Sequence, residues 1–460
     1  MALSSACLSP AAQGDPLPPA PGSGLFAVAV PLVFAALLLG CAPRAVESQT
    51  SPPATTPSDA ASLRDLIDTY LDTDSSEVAD RTLATILRDP LARLSAVVAI
   101  VMSDHPSAVP PVGSLPDQPL TVKGRRYAYG LYVPPAYRPT QAYPLVVCLH
   151  GAGFDGDAYL ERWQPRLGDR YILACPSLPH ADWWSRSAEH LVLATIRAVQ
   201  SRYHIDPDRI FLTGMSNGGI GTYVIGSHQA PLFAGLAPMA GGVDEVLLPF
   251  LQNLKHTPVY LLHGASDQVM PVQMSRTVAA ELARLGYPYE YHEHERVHPQ
   301  AGGHFFPREE LPALVAWFDG RQRTALPTSL VVVRDASHLG PFGWVRIDAT
   351  DRIAFFTDRL IDSRDELITN RVYARLEASL TAPNEISVRT TRVHRYTVFL
   401  NSTMVDFSRP VTIVTNDRVS FTGTVSPTVE RLLRESRQRH DRRTLYPAAV
   451  TISVEGTPSP

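Results

Sequence analysis

The residues best suited to chemistry are a serine, an aspartate and a histidine, in that order along the chain. Ser216 stands in Gly214-Met215-Ser216-Asn217-Gly218-Gly219, between an apolar run at 210–213 and a stretch with helical spacing at 217–227. A serine hydroxyl is a weak nucleophile. It needs a base, and the base needs an orienting acid. The G-x-S-x-G spacing between strand and helix supplies the perch. A tight turn strains the serine backbone, and the glycines remove side chains that would clash there. A helix opening at Asn217 points free N–H groups at developing negative charge. Asp267 follows the apolar run 259–262 in Gly264-Ala265-Ser266-Asp267 and is expected as the acid. The alternative for it is a turn-capping aspartate.

Four histidines compete for the base: His292, His294, His298 and His304. The first two share parity within YEYHEHE and are expected on one face of a strand. His298 precedes a proline. His304 follows Gly302-Gly303 in the loop before the final helix of this region, where the base belongs, and is favoured over His298. Their spacing matches no recognised metal site, and a serine triad needs no metal or other cofactor. Leu149-His150-Gly151-Ala152-Gly153 closes the run LVVCL. Two backbone donors are needed to hold a tetrahedral oxyanion. One is assigned to the N–H of Asn217, the other to Ala152 or Gly153, with Ala152 favoured. His150 is read as shaping this loop through side-chain hydrogen bonds. Trp183 and Trp184, with Gly153, are candidates for a substrate pocket; packing of the domain is the equal alternative for the tryptophans. Asp157 and Tyr159 are weaker rim candidates.

These residues need rigid elements to carry them. Short apolar runs at 126–133, 145–149, 171–174, 210–213, 259–262 and 289–293 read as strands. Helical stretches at 190–203, 217–227 and 272–285 separate several of them. Strands alternating with helices argue an α/β class with a mainly parallel sheet covered on both faces, whose ligand sites lie at the carboxyl ends of the strands. Residues 106–119, with several prolines, read as loop. From 323 the texture is β-rich, with strands near 329–333, 344–348, 387–391, 396–400, 411–415 and 449–454, a turn at Asn416-Asp417-Arg418, and a basic helical segment at 427–439. The arginines around that helix are read as a solvated face or ion pairs.

The stretch 121–320 resembles the α/β-hydrolase superfamily, closest to its secreted feruloyl-esterase, polyhydroxybutyrate-depolymerase and esterase-D-like branches. The resemblance rests on the G-x-S-x-G-G turn at 214–219, the loop at 149–153, the HG and aspartate of His263 to Pro271 with Met270 before the proline, and Gly303-His304. It implies ester hydrolysis through an acyl-enzyme, with Ser216, Asp267 and His304 as the triad and no cofactor. A serine peptidase or amidase is the nearest alternative, and a non-catalytic exported binding module is the alternative of another class.

The chain has 460 residues, enough for several domains, with a formal net charge of -4 and no sustained basic patch. Nucleic-acid binding is therefore excluded as an expectation. The expected organisation is 1–41 signal with lipobox, 42–60 flexible linker, 61–118 small helical segment and loop, 119–322 hydrolase domain, and 323–460 β-rich accessory domain. Residues 25–39 form an apolar run of signal-peptide length that ends in Leu38-Leu39-Gly40-Cys41. This ending resembles the bacterial lipobox, which implies acylation of Cys41 and export to the cell envelope, membrane-anchored or secreted. No lysine or arginine precedes the run, a departure from the usual basic start. Expected partners are a small-molecule or polymeric ester and the membrane, through the lipid anchor. Cys148 and Cys175 are read as buried thiols, with a disulfide between them open if the protein is exported.

Overall fold

The parallel strands are short because they are buried on both faces, and their sequences are apolar throughout rather than alternating. The strand Tyr143–Leu149 has every residue buried, as do Ile172–Pro176, Gly235–Met239 and Val259–Gly264. The computed structural model describes residues 62–103, 110–355 and 372–454; the lipobox and Cys41 lie outside them. Among the described residues no helix is long and apolar enough to cross a membrane.

Three helices come first: α1 (Leu63–Asp72), α2 (Ser76–Ile86) and α3 (Leu94–Met102). Ser62 and Asp65 form a reciprocal capping box that starts α1. The central sheet contains β1 (Gly113–Val122), β2 (Arg125–Val133), β3 (Tyr143–Leu149), β4 (Ile172–Pro176), β5 (Ile205–Met215), β6 (Gly235–Met239), β7 (Val259–Gly264) and β8 (Tyr289–His294). Their order is β1-β2-β4-β3-β5-β6-β7-β8. β1 and β2 pair antiparallel, β2 meets β4 antiparallel, and all later pairings are parallel. The helices α4 (Gly156–Leu167), α5 (Arg186–Gln200), α6 (Asn217–His228), α7 (Gln273–Leu285) and α8 (Leu311–Asp319) connect and cover it. The α/β class with a mainly parallel sheet is thus observed.

The first strand corrects the loop reading of 106–119. β1 contains Pro116 and Pro119, yet it lies at the sheet edge, where a missing N–H breaks no interior ladder. The register shifts between Leu115 and Gln118, and Asp117 takes φ 49°. Asp157 of α4 holds that bulge by accepting from the Asp117 N–H. Asp157 is thus tied to the sheet edge, and Tyr159 is buried in the core, so neither forms the proposed rim.

The β-rich segment builds two further sheets. β9 (Ser329–Arg334), β12 (Ala374–Ala382), β13 (Glu385–Thr391), β15 (Val411–Thr415) and β16 (Arg418–Gly423) form one, in the order β16-β15-β13-β12-β9. β10 (Pro341–Phe342), β11 (Val345–Thr350), β14 (Val393–Leu400) and β17 (Ala448–Ser453) form the other. One apolar cluster runs from the central sheet into both of them, from Leu236 and Tyr203 to Val332, Trp344 and Tyr396. The Asn253 side chain imitates a strand partner for β9. It donates to the Val333 carbonyl at 3.1 Å and accepts from its N–H at 2.7 Å. Buried Arg323 bridges Asp208 and Asp441. The helix Val429–Arg439 packs Leu432 and Leu433 against Ile67, Leu83 and Val97 of α1–α3. Its arginines make ion pairs: Arg434 with Glu430, and Arg431 and Arg439 with Glu435. Cys148 and Cys175 are free and buried.

Candidate active site

Ser216 lies between the last residue of β5 and the first of α6, at φ 61° and ψ -124°. An L-residue pays of order 1–3 kcal/mol for such a conformation, so the surroundings must impose it. Two backbone bonds do so. The Ser216 N–H donates to the Met239 carbonyl at the end of β6, and its carbonyl accepts from Ile220, each at 3.0 Å. β6 carried no chemical motif and was not anticipated, yet it holds the Ser216 turn. Gly218 is required by close approach, since a Cβ there would sit 2.0 Å from the Leu149 carbonyl oxygen. The turn is thus pressed onto the end of β3. The same packing brings the loop at 149–153 alongside: a Cβ on Gly151 would lie 3.5 Å from the Ser216 Cβ.

That loop is shaped by His150, which is buried. Its Nε2 accepts from the Leu178 N–H at 3.1 Å, so Nδ1 carries the proton and donates to the Gly151 carbonyl at 2.9 Å. Burial pushes its pKa down, consistent with a neutral ring. Among the described residues no backbone hydrogen bond engages the N–H of Ala152 or of Gly153, which has φ 79°. Asn217 opens α6, where first-turn N–H groups lack helical partners.

Trp183 corrects the pocket reading. It is completely buried, donates Nε1–H to the His150 carbonyl at 2.8 Å, and packs edge-on to the His150 ring. Its Cβ lies where a side chain on Gly221 of α6 would otherwise be. It therefore braces the loop at 149–153 through His150 instead of walling a cleft. Trp184 is half-buried and remains a pocket candidate.

Asp267 and His304 meet. His304 Nδ1–H donates to Asp267 Oδ2 at 2.7 Å, and the carboxylate is wholly buried. The other carboxylate oxygen accepts the N–H groups of Val269 and Met270, at 2.8 and 2.9 Å. The aspartate is therefore aimed by its own loop and presents one oxygen to the imidazole, whose Nε2 is left as the basic nitrogen. Gly303 explains the pairing of the two loops, since a Cβ there would approach the Asp267 nitrogen to 2.5 Å. A residue not anticipated is His263, the last but one of β7. Its Nε2–H donates to the Met270 carbonyl at 2.8 Å and lies 3.3 Å from Asp267 Oδ2, and its Nδ1 is 2.7 Å from Ser275 Oγ. Burial also lowers its pKa. The HG pair in the sequence marked this position, but its bonds to the loop required the folded structure.

The other histidines go elsewhere. His298 is exposed and caps a small turn, its N–H bonded to the Gly302 carbonyl. His292 stacks on Tyr260 and pairs with Glu310, while His294 is buried against Phe305. Among the described residues Ser216 Oγ makes no hydrogen bond, so the structure joins Asp267 to His304 and leaves the serine hydroxyl free.

No protein-family model matches the chain. It is similar to "Probable feruloyl esterase C" of Aspergillus flavus, 29% identical over 167 residues, which is 34% of this chain and 60% of that protein. The same-named protein of Aspergillus clavatus is 29% identical over 202 residues, covering 41% of this chain and 72% of that one. A poly(3-hydroxyalkanoate) depolymerase C of Paucimonas lemoignei is 26% identical over 175 residues, 35% of this chain and 41% of that protein. The chain thus spans about 60% of the length of the first of these. A solved thermostable esterase is 25% identical with a TM-score of 0.37, covering 49% of this chain and 64% of that one. The similarity is to esterases of the α/β-hydrolase superfamily.

One further cluster was not visible in the sequence. Glu189 of α5, His228 at the end of α6 and His338 after β9 bring donor atoms within 4.8 Å of one another. They are far apart in the chain and have no local spacing to betray them.

Proposed function

We propose that the chain is a serine hydrolase that cleaves carboxylic esters, with Ser216, His304 and Asp267 as nucleophile, base and orienting acid. The observation that carries this is the 2.7 Å bond from His304 Nδ1 to a buried Asp267 carboxylate in loops that follow the last strands of the sheet. The strained turn that presents Ser216 lies on the same sheet. In the reaction His304 Nε2 takes the hydroxyl proton as Ser216 Oγ attacks the carbonyl carbon. The carbonyl oxygen becomes an oxyanion held by the N–H groups of Ala152 and Asn217. Collapse of the tetrahedral intermediate expels the alcohol, which receives the proton from His304. Water then repeats the sequence on the acyl-enzyme and frees the acid. Asp267 keeps the tautomer and stabilises the imidazolium. The names of the relatives favour aromatic-acid esters or polyesters as substrates. Residues 119–322 form the catalytic domain in this reading, and 323–460 an accessory domain.

The test is labelling with a fluorophosphonate probe together with turnover of p-nitrophenyl, feruloyl and aminoacyl substrates. Ester turnover with a single label at Ser216 supports the reading. Preferential cleavage of aminoacyl amides turns it into a peptidase, and absence of both label and turnover makes the chain a binding module.

We also infer that the protein is exported and acylated at Cys41. Support comes from the apolar run at 25–39 and its ending in Leu38-Leu39-Gly40-Cys41. Each buried acyl CH₂ contributes about 0.8 kcal/mol, so several chains on one cysteine hold a protein firmly at a membrane. Expression in a bacterial host with lipoprotein processing, followed by intact mass, tests this. An unmodified Cys41 in the mature protein overturns it.

A further inference from the structure

The Glu189, His228 and His338 cluster contains a feature that hydrogen bonding inside the protein does not explain. His228 is buried, and among the described residues neither of its ring nitrogens has a well-aligned hydrogen bond. Buried polar atoms are nearly always satisfied, so an orphaned imidazole demands an occupant. Its Nδ1 faces Glu189 Oε2 at 3.4 Å, and His338 Nε2 is hydrogen-bonded to that same oxygen at 2.9 Å, a bond that an ion would replace. Ligands at about 2.0–2.1 Å from a tetrahedral zinc ion stand roughly 3.3 Å apart, the scale of these separations.

The surroundings have the organisation of a metal site's outer shell. His338 Nδ1 is bonded to Asp335 Oδ2 at 2.6 Å, which leaves Nε2 as the nitrogen directed at Glu189. The same Asp335 oxygen lies 3.8 Å from His228 Nε2, behind the second imidazole. The bonded carboxylate behind His338 fixes that ring and raises its basicity, whereas Asp335 stands too far from His228 Nε2 to bond it. Asp335 is in turn held by the Ser337 N–H at 2.8 Å. Gln229 Nε2–H donates to Glu189 Oε1 at 2.6 Å and so directs Oε2 toward the histidines. The two rings stack at 3.7 Å, so they must turn apart for both nitrogens to reach one ion, and Arg334, buried nearby, offsets part of the carboxylate charge.

We propose that Glu189 Oε2, His228 Nδ1 and His338 Nε2 bind a zinc-class divalent cation that joins the hydrolase core to the β-rich segment, with water as fourth ligand. Two ligands come from helices packed on the central sheet, and the third and its supporting carboxylate come from the turn after β9. The ion therefore ties the two regions together. His228 lies at the far end of α6 from Ser216, twelve residues on and roughly 18 Å away at 1.5 Å per residue. The site is thus structural and independent of the serine chemistry. Neutral imidazole and carboxylate suit zinc, cobalt or nickel better than calcium or magnesium.

The experiment uses the untagged full chain. Metal content is measured by elemental mass spectrometry as purified. The protein is then stripped with chelator, and zinc is titrated back while the thermal midpoint and the visible bands of a cobalt substitute are followed. One equivalent of zinc, a midpoint that falls on stripping and recovers with zinc, and tetrahedral cobalt bands are expected. His228→Phe keeps an aromatic ring for the stack and should lower zinc affinity at least 100-fold. Asp335→Asn should lower it 10–100-fold. If His228→Phe does not fold, His338→Gln takes its place with the same expectation. A native chain that neither contains nor binds zinc overturns the proposal and assigns the pocket to a proton on His338 between its two carboxylates. Unchanged affinity in the ligand variant also overturns it. Fluorophosphonate labelling of Ser216 in the stripped protein should persist, which separates this result from the fate of the hydrolase reading.

Discussion

The two halves of the candidate catalytic site are built on different principles. On one side, Ser216 is fixed by continuous backbone: a strand, one strained residue and a helix, clamped by bonds to Met239 and from Ile220. On the other, Asp267 and His304 sit on separate loops that meet through side-chain hydrogen bonds and a glycine contact. Each half also has a buried histidine shaping its loop, His150 beside Ser216 and His263 beside Asp267. The backbone-built half is stiff and intolerant of added volume. The hydrogen-bonded half depends on particular polar atoms and yields more readily.

The largest expected effect comes from removing the reacting groups themselves. Ser216→Ala should lower kcat by about 10⁴–10⁶-fold with the thermal midpoint nearly unchanged. Active-site titration of the purified variant checks it, and near-wild-type turnover refutes the assignment. His304→Ala should be comparably inactive while His298→Ala, altering an exposed turn, retains activity. The reverse pattern would transfer the base to His298. Asp267→Asn should cost about 10⁴-fold, because an amide facing His304 Nδ1 stabilises the wrong tautomer.

Glycine substitutions test the contrast directly. In Gly218→Ala the new methyl would collide with the Leu149 carbonyl at 2.0 Å, between buried β3 and the start of α6. Neither can retreat without disturbing the sheet, so a loss above about 3 kcal/mol is expected, beyond the ordinary range for overpacking. In Gly303→Ala the obstacle is the Asp267 loop backbone at 2.5 Å. Loops can shift, so stability should fall by only about 1–3 kcal/mol. Displacement of the Asp267–His304 pair should nonetheless lower kcat by roughly 10–100-fold. Urea unfolding and steady-state kinetics on the two variants decide the matter. Equal stability losses would erase the distinction between the halves.

What the sequence disclosed follows the same division. The serine turn is local, so its spacing and flanking runs were legible in one stretch. Asp267 and His304 were legible through their order and the loops they occupy, but their bond is a tertiary fact. The roles of Trp183 and β6 were hidden for a physical reason. Both are apolar packing elements, and no pattern of residue types distinguishes a tryptophan that supports the loop at 149–153 from one that lines a cleft. β1 was masked by its prolines, which an edge strand tolerates. The Glu189, His228 and His338 cluster joins three segments with no shared periodicity, so only the fold brings it into view.

The smallest expected effect concerns the two loop-shaping histidines. Burial lowers the pKa of both His150 and His263 below the ordinary value of about 6.5. His263 is near Asp267, Glu293 and His304, and His150 is near Asp155, but desolvation is the leading cause for each. The folded chain therefore binds protons at these rings less readily than the unfolded chain. Their contribution to stability is fully present above about pH 6.5. It declines as pH falls from there toward the depressed folded values. Each ring contributes at most about 1.4 kcal/mol per pH unit in that window. Urea midpoints measured between pH 7.5 and 5.5 should fall with acidification. His263→Gln removes one titrating ring and should flatten that dependence while lowering stability at pH 7.5, because the bonds to Met270 and Ser275 are lost or weakened. His150→Asn keeps a donor near the position of Nδ1 and should flatten it with a smaller loss at pH 7.5. A pH dependence as steep in both variants as in the parent would mean that neither ring is kept neutral by burial, and the symmetry between the two halves would then be one of shape alone.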